Sequence, residues 1–153
     1  MNSNEVFTMM DHKYALFGLF FAFHNRLQAT GDSFYDEITC KQFFLLACMN
    51  LYTEEAPTGN ELAKTMGCSR QNIKEILNSL EKKGLVYLQP DEKDKRKNRV
   101  YRTEKCFKLS EKYKEKEIQF MQMLYKGLSD KDIDDAYRII SKIEENLINM
   151  EVK

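Results

Sequence analysis

"TGNELAKTMGCSRQNIKEILNSLEKKGLVYLQPDEKDKRKNRVYRTEK", Thr58 to Lys105, is the stretch whose reading decides the fold. Its first part offers Leu62, Ala63 and Met66 to a core, and Thr58 with Glu61 has the spacing of a reciprocal N-terminal cap. Gly67 then supplies a tight turn, and Ser69 is placed to cap a second helix. In that helix Ile73, Ile76, Leu77 and Leu80 recur at i, i+3, i+4 and i+7, which puts them on one face. At about 100° per residue, Gln71, Lys74, Asn78 and Lys82 point away from that face, with Arg70 on its flank. Gly84 ends the helix. Val86, Tyr87 and Leu88 then face Val100 and Tyr101 as a hairpin with a long charged tip.

Working outward, that tip is unusual for its surroundings. Seven of the fifteen residues from Asp91 to Lys105 are Lys or Arg, yet the whole chain of 153 residues balances 24 basic against 24 acidic side chains. The balance hides a gradient. Residues 1–57 hold 3 basic and 7 acidic groups, residues 58–106 hold 12 and 7, and residues 107–153 hold 9 and 10. A positive excess confined to the middle third makes a local basic surface, which matters more to a polyanion than the total does.

The two short helices joined by a turn, the second with an outer face of Arg, Gln, Lys and Asn, read as a helix-turn-helix. Arg70 and Lys74 are donors suited to guanine O6 and N7, while Gln71 and Asn78 match adenine bidentately. Ser69 and the free N–H groups at the helix start suit a phosphate. Beside them, Lys93, Lys95, Arg96, Lys97 and Arg99 are placed to reach along a nucleic-acid backbone or into a minor groove, where negative potential concentrates on cations. A charge run alone is usually only solvated surface. Joined to a capped helix-turn-helix, it points to double-stranded DNA.

The flanking sequence is helical. Helices are expected over Asp11–Thr30, Lys41–Tyr52, Asn60–Met66, Arg70–Lys83, Phe107–Lys126 and Asp130–Met150. Thr39 with Gln42 and Ser129 with Asp132 repeat the capping pattern. Gly31, Gly59, Gly67, Gly84 and Gly127 fall where helices should start or stop; Gly18 lies inside the first helix, where it would admit a close neighbour. The last helix carries Ile133, Ala136, Ile140, Ile143, Leu147 and Met150 in alternating steps of three and four. That seam suits either packing within its own domain or a subunit interface with the aromatic-rich first helix. The run Tyr14 to Phe23 is too short to span a bilayer. Glu5 and Asp11 argue against a signal peptide, so no membrane role is expected.

The order helix, helix, helix-turn-helix, hairpin, long helix, long helix resembles the MarR family of winged-helix regulators over nearly the full chain. The match is strongest in "LAKTMGCSRQNIKEILNSLEKKGLV" and in "PDEKDKRKNRVYRTEK". Asp94 and Arg96 resemble the family's D-x-R wing, in which the Asp braces the tip and the Arg enters the minor groove. The resemblance implies a mainly α fold with a small β-hairpin wing. A winged helix-turn-helix lobe would span residues 53–106, and a helical dimerisation lobe residues 8–30 and 107–153, within one domain of residues 1–153. It further implies a cytoplasmic homodimer that places its recognition helices in successive major grooves of a pseudo-palindrome, acting as a repressor. Small aromatic or anionic effectors, or oxidants acting on cysteine, would relieve binding. Two positions depart from the pattern: Arg102 stands where an apolar residue is usual, and Cys106 near a usual Gly.

For sensing, Cys68 lies just before the recognition helix, where the helix dipole would lower a thiol pKa; the competing reading is a small core residue. His24 follows an apolar run and would line an interhelical pocket or sit as a satisfied core group. The four cysteines show neither CxxC spacing nor a Cys/His cluster, so reduced thiols, no disulfide and no metal are expected. No cofactor motif and no catalytic constellation is present, which argues against an enzyme. The rival reading is a winged helix that contacts an acidic protein without specific DNA binding.

Overall fold

The computed structural model describes residues 3–150. Among them the chain runs α1 (Ser3–Phe7), α2 (His12–Phe34), α3 (Cys40–Cys48), a single 3-10 turn (Met49–Leu51), α4 (Gly59–Met66), α5 (Arg70–Lys82), β1 (Val86–Pro90), β2 (Asn98–Arg102), α6 (Glu104–Leu124) and α7 (Asp130–Met150). This is a mainly helical fold with a two-stranded antiparallel wing.

Local chemistry sets most of these boundaries. Thr39 accepts from the Gln42 N–H while the Gln42 side chain accepts from the Thr39 N–H, a complete capping box at α3. Thr58 and Glu61 form the same device at α4. Gly67 closes α4 at φ 62° and Gly84 follows α5 at φ 69°, left-handed values that L side chains rarely adopt.

Three expectations shift. Gly31 does not end the first helix, because α2 continues to Phe34. Its missing side chain serves contact instead: a Cβ there would collide with Cys40 Sγ and lie 2.8 Å from Cys40 Cβ. Gly18 does admit a neighbour, since a Cβ would come within 2.9 Å of the Phe7 ring of α1. The helix expected to run to Tyr52 gives way to a 3-10 turn after Cys48, and α6 begins at Glu104 instead of Phe107. There Thr103 Oγ1 accepts from the Cys106 N–H at 3.2 Å and donates to Gly84 O at 2.7 Å, tying the helix start to the end of α5.

By its contacts the chain divides into two compact units, Met1–Tyr113 and Lys114–Lys153. Residues 8–30 thus fall in the same unit as residues 53–106. The core of the first unit gathers Leu45, Leu62, Ile73, Leu80, Leu85, Val86, Val100, Cys106 and Tyr113, each at most 2% exposed. Cys106 fills its place there as a small apolar group. Arg102 is accommodated at the rim, where its guanidinium donates to Asn50 Oδ1 and lies 4.8 Å from the Phe107 ring centroid.

The far end of α5 is held by polar bonds. Gln42 is 5% exposed and donates to Ser79 Oγ at 2.8 Å. Lys83 Nζ donates to Gln42 Oε1 and to the Glu37 carbonyl at 2.8 and 2.7 Å. Lys105 Nζ donates to the Lys83 carbonyl at 2.7 Å. Tyr113 Oη in turn accepts from the Glu37 N–H at 2.9 Å. In a low-dielectric setting such fully satisfied networks fix one geometry.

In the second unit, Ser129 and Asp132 cap α7 reciprocally. No described residue of α7 is buried. Ile140 is 51% exposed and Leu147 54%. The apolar seam of the last helix is therefore open within the chain. The aromatic face of α2 is open too, with Tyr14, Phe17 and Phe21 all more than 60% exposed.

Candidate nucleic-acid interface

The site is built on α5. Ile73, Leu77 and Leu80 anchor one face in the core, and this burial turns the opposite face to solvent. Ser69 caps the helix by accepting from the Asn72 N–H at 3.2 Å. Arg70, Gln71, Lys74 and Asn78 are all exposed. Gln71 Nε2 donates to Glu75 Oε1 at 3.0 Å across one turn.

The wing stands beside it. β1 and β2 pair antiparallel with Val86 opposite Arg102, Leu88 opposite Val100 and Pro90 opposite Asn98. Tyr87 and Tyr101 stack across the strands with ring centroids 5.4 Å apart. The Val100 N–H donates to the Pro57 carbonyl at 2.8 Å, and Thr58 bridges Arg99, so the chain entering α4 adds to the hairpin's edge.

The tip is organised by an acid that the charge pattern does not single out. Asp91 is 4% exposed. Its carboxylate accepts from the Lys93 and Asp94 N–H groups at 2.9 and 2.7 Å and from Arg99 Nε. The Asp94 and Lys93 N–H bonds and the Arg99 guanidinium hold its carboxyl well down, at about 2. A Pro-Asp pair entering a tight loop is the signal that marks such a turn. Asp94 sits higher and grips Arg96 as a fork, Oδ1 to Nε at 2.9 Å and Oδ2 to Nη2 at 3.1 Å. These bonds to Arg96 lower the Asp94 pKa. Arg96 is 90% exposed at the tip.

Arg99 departs from expectation. The charge run groups it with the outward cations of the wing, but its side chain is 13% exposed. It pairs with Asp91, with Glu55 at 2.7 Å, and donates to the Ala56 carbonyl. It fastens the tip loop to the segment that precedes α4. The acids Glu55 and Asp91 nearby in the fold draw it in, and the distant Glu55 contact is invisible in a local charge count.

The remaining cations converge. A groove of about 330 Å³ is lined by Arg70, Lys74 and Asn78 of α5 and by Arg96 and Lys97 of the wing, with Asn60 at the start of α4. Lys93 and Lys95 are outside that lining, on the tip. The geometry thus presents two sets of donors, one on a helix and one on a finger, around a shared concavity.

The sensing candidates fare differently. Burial pushes the Cys68 thiol up, and nearby Lys41 opposes this only in part. That direction is opposite to the lowering expected from the helix start. Burial raises Cys40, Cys48 and Cys106 as well. His24 is exposed on α2, so within the chain it does not sit as a core group. All four cysteines are free. Among the described residues no group of acids, His or Cys has the arrangement of a metal site, and no helix is long and apolar enough to cross a membrane.

A pH dependence follows from Asp91. Its folded carboxyl titrates near 2, below the ordinary value of about 3.9. The stabilisation is therefore complete above about pH 4 and is lost as pH falls toward 2. Protection of the Lys93 and Asp94 amides, whose N–H groups Asp91 accepts, is expected to fall through that window when exchange is referred to the intrinsic rate at each pH. In Asp91→Asn the protection should be low already at neutral pH and show no such window.

An exposed reading helix in a capped helix-turn-helix, flanked by a cationic hairpin, defines a winged helix-turn-helix protein. Residues 38–97 match the MarR family model. Over those residues, which span the helix-turn-helix and most of the wing, the chain is similar to the MarR family. Solved structures share the fold. The MepR–DNA complex of S. aureus is 22% identical with a TM-score of 0.73, covering 84% of this chain and 94% of that one. A MarR/EmrR family transcriptional regulator from Acinetobacter sp. ADP1 is 14% identical with a TM-score of 0.80, covering 92% and 100%. Bordetella bronchiseptica BpsR, whose DNA binding is regulated by 6-hydroxynicotinic acid, is 20% identical with a TM-score of 0.72, covering 83% and 91%.

Proposed function

We propose that this chain is a DNA-binding transcriptional regulator, acting as a homodimeric repressor on a pseudo-palindromic operator. The observation that carries the reading is the groove lined jointly by Arg70, Lys74 and Asn78 of α5 and by Arg96 and Lys97 of the wing. Helix donors reach base edges in a major groove while the finger's cations meet phosphates or the adjoining minor groove. The open seam on α7 and the open aromatic face of α2 supply apolar surface for a second copy. MepR, a similar structure, is bound to DNA.

Relief of binding is assigned to a small aromatic or anionic ligand. BpsR supports this by its response to 6-hydroxynicotinic acid. An oxidant acting on this chain is disfavoured, since burial raises all four thiols and a thiol is the weaker nucleophile.

The test is a gel shift of the wild-type chain on duplex DNA from the region upstream of its own gene, run across a salt series. Specific retention that weakens steeply with salt is expected, because phosphate contacts release counterions. Absence of retention at low salt, with salt-sensitive capture of an acidic protein in its place, would establish the rival reading.

A further inference from the structure

On the outer arc of α5, the two side chains directed most squarely away from Ile73, Leu77 and Leu80 in the first two turns are Gln71 and Glu75, and they are bonded to each other. In a helix-turn-helix it is the first part of the reading helix that meets base edges. An ionised carboxylate is acceptor-only, so the Gln71 amide must turn its nitrogen toward Glu75. One amide N–H is used in that bond. The second N–H and Oε1 remain free, side by side, as one donor and one acceptor.

That pair is the complement of adenine's major-groove edge, where N7 accepts and the N6 amino group donates. Guanine presents two acceptors there, so Oε1 would face O6 without a proton between them. We propose that Gln71 specifies an adenine in each operator half-site, and that Glu75 is a positioning residue that holds the Gln71 amide in the reading orientation. The inference rests on the DNA-binding function above and names the base that this site takes. Glu75 adds a constraint of its own. A carboxylate is repelled by phosphate oxygens, so the pair is productive only deep in the groove, away from the backbone.

The experiment is selection of bound duplexes from a randomised pool by the full-length wild-type chain, Gln71→Ala, Glu75→Ala and Glu75→Gln, followed by competition binding on the selected site. The wild type is expected to enrich one A·T pair, in fixed orientation, at the same place in both half-sites. Gln71→Ala should lose preference at that pair by about 5- to 150-fold, while the other enriched positions stay as in the wild type. Glu75→Ala should weaken the preference at that same pair, and Glu75→Gln, which keeps an acceptor oxygen at that reach, should restore it. A merely structural role of Glu75 would change affinity for all duplexes alike. The proposal is overturned if Gln71→Ala enriches the wild-type sequence at every position, or if Glu75→Ala shifts preference at a different pair. A wild-type chain that retains duplex without enriching any sequence overturns it while leaving DNA binding intact. A wild-type chain that retains no duplex removes the DNA-binding reading and this one with it.

Discussion

Replacing Lys93, Lys95, Arg96 and Lys97 together by alanine is expected to remove most of the salt dependence of DNA binding, and most of the affinity at low salt. These four are the tip's cations outside the buried Arg99 pairing, with Arg96 90% exposed and Lys97 61%. Removing one phosphate contact should reduce the slope of log affinity against log salt by about 0.9. A dimer making 6–10 such contacts should bind roughly 10³- to 10⁵-fold more weakly at about 200 mM salt than at about 50 mM. The variant should be much flatter over the same range. Arg99 is left in place because its pairing with Asp91 and Glu55 holds the root of the tip loop, so the hairpin itself should survive. Fluorescence anisotropy across a salt series measures both quantities. An unchanged slope would mean that the finger does not lie on the backbone.

Introducing Ile140→Asp with Leu147→Asp is expected to split the proposed homodimer and, with it, binding to the proposed two-half-site operator. Both side chains are about half exposed in the chain, so the fold should tolerate the change while a partner surface should not. Burying a charge against apolar surface without a counter-ion is costly. Sedimentation equilibrium should report a species near 18.1 kDa for the variant and twice that mass for the wild type. Affinity for the full operator should fall by about 10²- to 10⁴-fold, because the second half-site is no longer met at high effective concentration. Affinity for a single half-site should be nearly unchanged. A wild-type chain that already sediments as a monomer would refute the assembly.

The contrast between Arg96 and Arg99 shows what a sequence displays and what it hides. The helix-turn-helix is legible because its signals are local: Thr58 with Glu61, Gly67, Ser69 and Gly84 each fix a boundary within a few residues. The apolar period of α5 then gives its outward side chains by arithmetic. Arg99 is not legible, because Glu55 and the Ala56 carbonyl approach it from more than forty positions away. Asp91 escapes notice for a related reason. In a run of charges it looks like one more solvated acid, and only the closed loop shows its carboxylate turned in on two N–H groups. Gly31 misleads in the other direction. A glycine near an expected helix end resembles a terminator, but here it makes room for Cys40. Glu75 shares the outward arc with Gln71, yet a search for donors alone leaves an acceptor unnoticed.

The bonds gathered at Ser79, Lys83 and Lys105 give α5 an uneven hold. One end is clamped through three side chains; the other is held by its Ser69 cap and, from Ile73 on, by apolar packing. Thirteen residues make a lever of about 20 Å. A tilt of about 5° about the clamp sweeps the free tip through nearly 2 Å by that length, further than a hydrogen bond can stretch. Arg70 and Gln71 ride on that tip. On the proposed function, a small tilt set where Glu37 meets Tyr113 would thus displace Arg70 and Gln71 far more than Ser79.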